Sequence, residues 1–262
     1  MIVKRILYIL CFITLAGCQS EYQKMLKTTD YEQQYNAAMK YYDQKDYLKA
    51  YELFDKVLPA YRLTDKAEKI NYLIARCYYE EADYLMAAYY FERFVVTFPT
   101  SESAEEAYYF SALCYYYNSP KYSLDQANTL KAINMFQGYI NKYSKGVYVK
   151  ESNGYIAELR QKLEKKAFEN SKIFFQIGDY KAAVVALDNC LKEYPDTKYR
   201  EEILYLMIES SYLLAENSVE AKKQDRYESA IANYNSYIDE YPQGQWSKDA
   251  EKLYLQIKKR IN

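Results

Sequence analysis

Apolar positions in this chain recur at helical spacing in short blocks, and the blocks are separated by one recurring kind of break. In "VVTFPTSESAEEAYYF", residues 95 to 110, an apolar run ends at Phe98-Pro99 and a new run follows a Ser/Thr cluster and an acidic pair. The theme returns as "KEYPDTKYREEILYL" around Pro195 and as "DEYPQGQWSKDAEKLYL" around Pro242. Proline cannot continue a helix, because it lacks a donor and clashes with the preceding turn. The pattern therefore predicts helices that stop before each proline and restart just after it. Ser103 with Glu106 has capping-box spacing, and Glu105, Glu106, Glu201 and Glu202 fall near the positive ends of the new helices.

Within the blocks there is a fixed ruler. Ala38, Ala75 and Ala112 stand 37 apart, as do Tyr41, Tyr78 and Tyr115. A second helix follows each time, as Tyr47-x-x-Ala50-x-x-x-Phe54 and Tyr84-x-x-Ala87-x-x-x-Phe91. It recurs as Ala132-x-x-x-Phe136, Tyr180-x-x-Ala183-x-x-x-Leu187 and Tyr227-x-x-Ala230-x-x-x-Tyr234. Twelve residues beyond that alanine stands Pro99, Pro195 or Pro242, with Arg62 and Ser144 in the first and third copies. Small residues where helices cross, with aromatics beside them, resemble the tetratricopeptide repeat. The resemblance spans residues 31 to about 245 and implies an all-α superhelix, an α-solenoid of five helix pairs with a C-terminal capping helix from Trp246. Extra residues around "NSPKYSLDQ" and "AENSVEAKKQD" are expected as loops or helix extensions. The stretch from Val147 to Asp179 reads as one helix of about 30 residues, since Gly154 is its only strong breaker before the end.

Composition sharpens this picture. Only 6 Gly and 5 Pro in 262 residues leave little turn material for a many-stranded sheet. A formal net charge of −1 with no basic block offers nucleic acid no partner. Histidine is absent, which removes the commonest general base and metal ligand. The carboxylates fall on solvated faces and helix starts, and no cysteine has an imidazole partner. The reading is of a non-enzyme with no catalytic residue, no metal site and no cofactor beyond a covalent lipid. Cys77 and Cys114 could bridge, but buried small hydrophobes fit them better.

The first segment, "MIVKRILYILCFITLAGC", has the positive flank, short apolar core and small residues of a secretory signal. Its end resembles the bacterial lipobox, which implies cleavage after residue 17 and a diacylglyceryl group on Cys18, with Gln19 favouring the outer membrane. The expected organisation is a signal at 1–17, a tether at 18–30, an N-terminal half at 31–145 and a C-terminal half at 146–262. The mature chain loses Lys4 and Arg5, leaving 33 basic against 36 acidic residues.

Tyrosine, with 35 copies, is the outlier. Tyr35, Tyr72 and Tyr109 stand one turn before the Ala-Tyr pairs, and Tyr42, Tyr79 and Tyr116 one turn after, with Met39, Arg76 and Leu113 between them. Phe168, Lys172 and Phe175 continue the arrangement. First helices line the concave face of such repeats, so two readings stand side by side. The rings pack between neighbouring repeats, or they line a groove in which Tyr72, Arg76 and Tyr79 grip an aromatic-rich peptide. In the second reading Arg76 meets a terminal carboxylate.

The lipobox, the repeat and the order from "LDQANTLKAINMFQGYINKYSKGVYVKES" through "LRQKLEKKAFENSKIFFQIGDYKAAV" to "KEYPDT" together resemble the BamD family. These are lipoprotein subunits of the machine that assembles outer-membrane β-barrels. Ser144 departs from the family's usual proline. The resemblance implies a periplasmic scaffold anchored in the outer membrane, whose C-terminal repeats dock the periplasmic domains of a BamA-like barrel subunit. It implies N-terminal repeats that receive the C-terminal segments of unfolded outer-membrane proteins. The rival reading is another tetratricopeptide lipoprotein, an adaptor in cell-envelope or division machinery.

Overall fold

A computed structural model describes residues 21–62 and 64–261. The signal at 1–17, the lipidation candidate Cys18 and the first residues of the tether lie outside the described residues. Regular structure among the described residues is entirely helical. Helix α1 (Glu21–Lys27) precedes five pairs: α2 (Tyr31–Asp43) with α3 (Tyr47–Tyr61), α4 (Lys66–Glu80) with α5 (Tyr84–Thr97), and α6 (Ala104–Tyr117) with α7 (Ala127–Lys142). The last two are α8 (Val149–Gln176) with α9 (Tyr180–Glu193) and α10 (Arg200–Glu216) with α11 (Glu220–Glu240), and α12 (Ser247–Ile261) closes the chain. The all-α helix-pair class expected from the repeat is the one observed.

Two compact units are present. The first runs to Pro120 and resumes over Gln126–Ala157; the second takes Lys121–Asp125 and the described residues from Glu158 onward. The 28 residues of α8 contribute to both units. Within the first unit, α1 lies inside the expected tether and packs Tyr22, Met25 and Leu26 against the core of the first pair. Ala38, Ala50, Ala75, Ala87, Ala112 and Ala132 are fully buried, as small residues at helix crossings require. Phe54, Phe91 and Phe136 fill the space beside them with no exposed surface. In the second unit Ser171 takes the first-helix alanine's place and donates its hydroxyl to the carbonyl of Ala186 on α9 (3.1 Å). Ala183, Leu187 and Ala230 are buried there in the expected positions, and α12 packs on both α10 and α11.

The helix stops are sharper than the proline argument alone predicts. Phe98, Tyr194 and Tyr241 each leave the helix with φ near −130° and ψ of 60°, 74° and 61°, outside the α region that a following proline disfavours. Tyr143 adopts φ −120° and ψ 61° although Ser144 follows it. What all four share is the turn beyond. The N–H three residues on, from Ser101, Gly146, Thr197 or Gly244, donates back to the carbonyl of Phe98, Tyr143, Tyr194 or Tyr241.

A glutamate closes each of these turns. Tyr139 donates its hydroxyl to Glu105 Oε1 (2.7 Å), which also accepts the N–H of Val147 (3.0 Å). Tyr237 donates likewise to Glu201 Oε1 (3.0 Å). In the alternate pairs a hydroxyl on the turn itself does this work: Ser101 donates to Glu68 (2.6 Å) and Thr197 to Glu164 (2.6 Å). Glu68, Glu105, Glu164 and Glu201 occupy one register position, seven residues before Ala75, Ala112, Ser171 and Ile208. The same contacts correct the expected capping box. Ser103 makes no side-chain cap bond; its N–H is taken by Ser101 Oγ (3.0 Å), and Glu106 is engaged elsewhere.

The two insertions resolve differently. Residues 118–126 form a loop between α6 and α7, whereas the fifth pair absorbs its excess by lengthening α11 to 21 residues. Gly154 sits inside α8 without breaking it.

Gly146 is required by the latch: a Cβ there would overlap Glu105 Oε1 and the Tyr139 hydroxyl and lie 2.9 Å from the Tyr143 carbonyl. Gly146→Ala should cost about 1–3 kcal/mol of unfolding free energy, the usual range for forcing atoms into a filled site. Gly154→Ala, where a Cβ meets nothing within 4 Å, should instead gain roughly 0.5–1 kcal/mol from helix propensity. Urea denaturation of the two variants checks both signs.

Candidate functional site: an aromatic and carboxylate wall

The first helices of the first unit bring the sequence-predicted residues together, but at different depths. Tyr35 (9% exposed) and Tyr109 (6%) belong to the core. Tyr35 packs edge-on against Phe54 and Tyr61, with ring centroids 6.2 and 6.0 Å away. Tyr109 stacks on Tyr148 at 4.1 Å and 8°. Tyr72 is half-buried against Phe91 and Phe94 and donates its hydroxyl to Glu106 Oε2 (2.6 Å). The first tyrosine column is therefore built into the core, its rings packed mainly against the second helix of their own pair.

The second column stands further out. Tyr42, Tyr79 and Tyr116 are all half-buried. Tyr42 meets Tyr47 (5.5 Å), Tyr79 meets Phe110 (4.8 Å) and Tyr84 (5.7 Å), and Tyr116 meets Tyr155 (4.4 Å). Tyr117, 46% exposed, stacks on Tyr84 at 4.8 Å. Tyr47, Tyr84, Tyr117, Tyr148 and Tyr155 were missed by sequence reasoning. They lie at second-helix starts, at the end of α6, just before α8 and on α8, off the 37-residue first-helix register. The signal available for two of them was the aspartate-tyrosine pair, Asp46-Tyr47 and Asp83-Tyr84, that opens each second helix.

Between the columns, Arg76 is held inside the protein. Its Nη2 donates to Glu80 Oε1 (2.5 Å), its Nη1 lies 3.9 Å from Glu106 Oε1, and the guanidinium sits 4.4 Å over the Phe110 ring. The second unit repeats the device. Lys172, the next residue after the crossing position as Arg76 is, donates to Glu202 (2.8 Å) and lies 4.9 Å over Phe168. Phe168 is buried and stacks on Tyr199, and Phe175 packs on Tyr180.

Burial, and then the bond to Glu106, push the Tyr72 hydroxyl well above its ordinary range. Tyr79 is raised by burial and by its bond to Tyr117. These hydroxyls stay protonated donors. Cys77, Cys114 and Cys190 are free and buried, and burial pushes the Cys77 thiol up to about 12 and the Cys190 thiol up to about 11. Among the described residues no group of three metal-ligating side chains gathers. What the wall offers is ring faces, hydroxyls and carboxylates.

Two apolar grooves lie outside this wall. One of about 610 Å³ is lined by Leu85, Met86, Tyr89, Val96 and Tyr115 in the first unit. One of about 400 Å³ is lined by Phe174, Ala182, Val185 and Ala186 in the second.

Tyr72→Phe should lower unfolding free energy by about 1.5–3 kcal/mol, the range for a hydrogen bond to a charged group, as read by urea denaturation. Thiol titration should find Cys77, Cys114 and Cys190 unreactive in the native chain and all three reactive in denaturant.

A family profile described as YfiO, outer membrane lipoprotein, matches residues 27–227. No curated protein sequence matches the chain significantly. Among solved structures, the TPR2AB domain of yeast Sti1 in complex with Hsp90 is 16% identical, covers 87% of this chain and 98% of its own, and has a TM-score of 0.40. A TPR-repeat protein from Bacteroides fragilis is 17% identical, covers 89% of this chain and 100% of its own, and has a TM-score of 0.41.

Proposed function

The chain belongs to the YfiO family of outer membrane lipoproteins, and from that premise we propose that it is the helical scaffold of an outer-membrane β-barrel assembly complex. The observation that carries this reading is the extent of the family match, which runs from α1 into the fifth helix pair. In this reading the lipid on Cys18 holds the chain at the periplasmic face of the outer membrane. Anchoring at about 0.8 kcal/mol per buried methylene is durable once more than one acyl chain is present.

The second unit docks a BamA-like barrel-forming subunit through that protein's periplasmic domains. Exposed apolar side chains support such a contact: Ile173, Phe174, Ile177 and Val185 are 37–69% exposed around the second-unit groove. The first unit receives unfolded outer-membrane proteins on the aromatic wall. Tyr42, Tyr79 and Tyr116 keep ring surface available, whereas Tyr35 and Tyr109 hold the wall together. Ring-on-ring contact contributes about 0.5–1.5 kcal/mol per pair, so two or three client aromatics give a usable, reversible grip. The chain works by adhesion and orientation, with no covalent step.

The test is a pull-down of the lipidated chain from mild detergent with its partners identified. A barrel-forming subunit should copurify, and Cys18→Ala should release the chain from the membrane fraction. Recovery of cell-wall or division proteins in its place would overturn the reading. Replacing Tyr42 and Tyr116 together with Ala should lower client crosslinking several-fold at unchanged helical content, the loss expected from removing two ring contacts.

A further inference from the structure

Arg76 bears on which part of a client the wall can grip. A guanidinium between two tyrosine columns invites a terminal carboxylate, yet both of its Nη groups already face carboxylates. One Nη is bonded to Glu80 and the other faces Glu106, while Nε is buried with no acceptor. Only 20% of the side chain is exposed. The parallel ion pair of Lys172 with Glu202 marks the position as a link between successive repeats.

An incoming carboxylate would have to displace Glu80 or Glu106. Both are tethered at high effective concentration. It would also approach the Glu80 and Glu106 carboxylates themselves, which lie 2.5 and 3.9 Å from the guanidinium nitrogens. A cation meets the opposite situation, attracted by those carboxylates and by the negative faces of the rings.

We propose that the wall binds an extended segment through its aromatic side chains and neighbouring basic residues, and makes no use of the segment's terminal carboxylate. The proposal rests on the receiving role given to the first unit above. It makes interior stretches of an unfolded chain as acceptable as its end, provided they alternate aromatic with neutral or basic residues.

The test uses the full mature chain in mild detergent and a short fluorescent peptide of alternating aromatic and polar residues ending in phenylalanine. The peptide is made as the free acid and as the amide, and with either Lys or Glu at the polar positions. The amide should bind at least as tightly as the acid, and the Lys peptide should bind roughly threefold or more tighter than the Glu peptide, as partly screened ion pairs allow. Glu80→Gln should improve the acid relative to the amide by about two- to fivefold, the effect of one exposed charge. Arg76→Gln should leave the acid-to-amide ratio unchanged, and circular dichroism reports whether that variant still folds. An approximately tenfold preference for the free acid that Arg76→Gln removes would overturn the proposal. If neither peptide form binds, the receiving role itself fails, and this refinement falls with it.

Discussion

A half-buried glutamate on the first helix of the second to fifth pairs is the interaction on which the rest of the structure depends. Glu68, Glu105, Glu164 and Glu201 each accept a hydroxyl from the far end of their own helix pair. Two of them also accept a backbone N–H from the turn that leads to the next pair. That bond fixes where the second helix ends and the direction in which the chain departs. A small residue at the helix crossing sets how closely the two helices approach, but many crossing geometries satisfy a small residue. The latch selects one, because its hydroxyl and N–H donors meet the carboxylate in only one arrangement, and a hydrogen bond to a charged group is stronger than one between neutral groups. Hydroxyl supply is what varies: tyrosine reaching across with glycine making room, or serine and threonine on the turn itself.

This accounts for part of the tyrosine excess. Tyr61, Tyr72, Tyr115, Tyr139 and Tyr237 all donate to glutamates, so their hydroxyls are structural acceptor-satisfying groups, and their rings fill the gaps between repeats. Phenylalanine would fill the same space and take one donor away from a carboxylate. A hydroxyl used internally also leaves the outer ring face as the part free for a partner. Binding on such a surface depends on ring geometry and surrounding charge.

Much of the fold was legible in the sequence because helix pairing is written in a period. Alanines at 37-residue spacing, prolines twelve residues beyond the second-helix alanine and the unbroken run through Gly154 each have a local physical cause. The latch was also written there, as Tyr139-Ile140-x-x-Tyr143-x-x-Gly146 and Tyr237-Ile238-x-x-Tyr241-x-x-Gly244. It is hard to see there because the hydroxyl donor alternates between two chemical solutions, although the glutamate recurs in all four copies. The site was less legible for a different reason. The same 37-residue spacing that aligned Tyr35, Tyr72 and Tyr109 could not say whether they point inward. Depth depends on the neighbouring repeat, and Arg76 looked available until Glu80 and Glu106, one turn away and one repeat on, were seen to hold it.

The two ion pairs that join successive repeats, Arg76 with Glu106 and Lys172 with Glu202, give the last step. Each cation lies over a phenylalanine ring, Phe110 or Phe168, so charge and aromatic packing are joined at the same seam. Neither pair contains histidine, and a chain without it has no side chain whose ordinary pKa falls between about 5 and 8. The seams and latches are therefore assembled without the side chain that most often changes charge there. In the proposed scaffold the aromatic face is set by packing and ion pairing, with no imidazole to alter it. Under that proposal, adjustment of the grip falls to a partner that moves the helices.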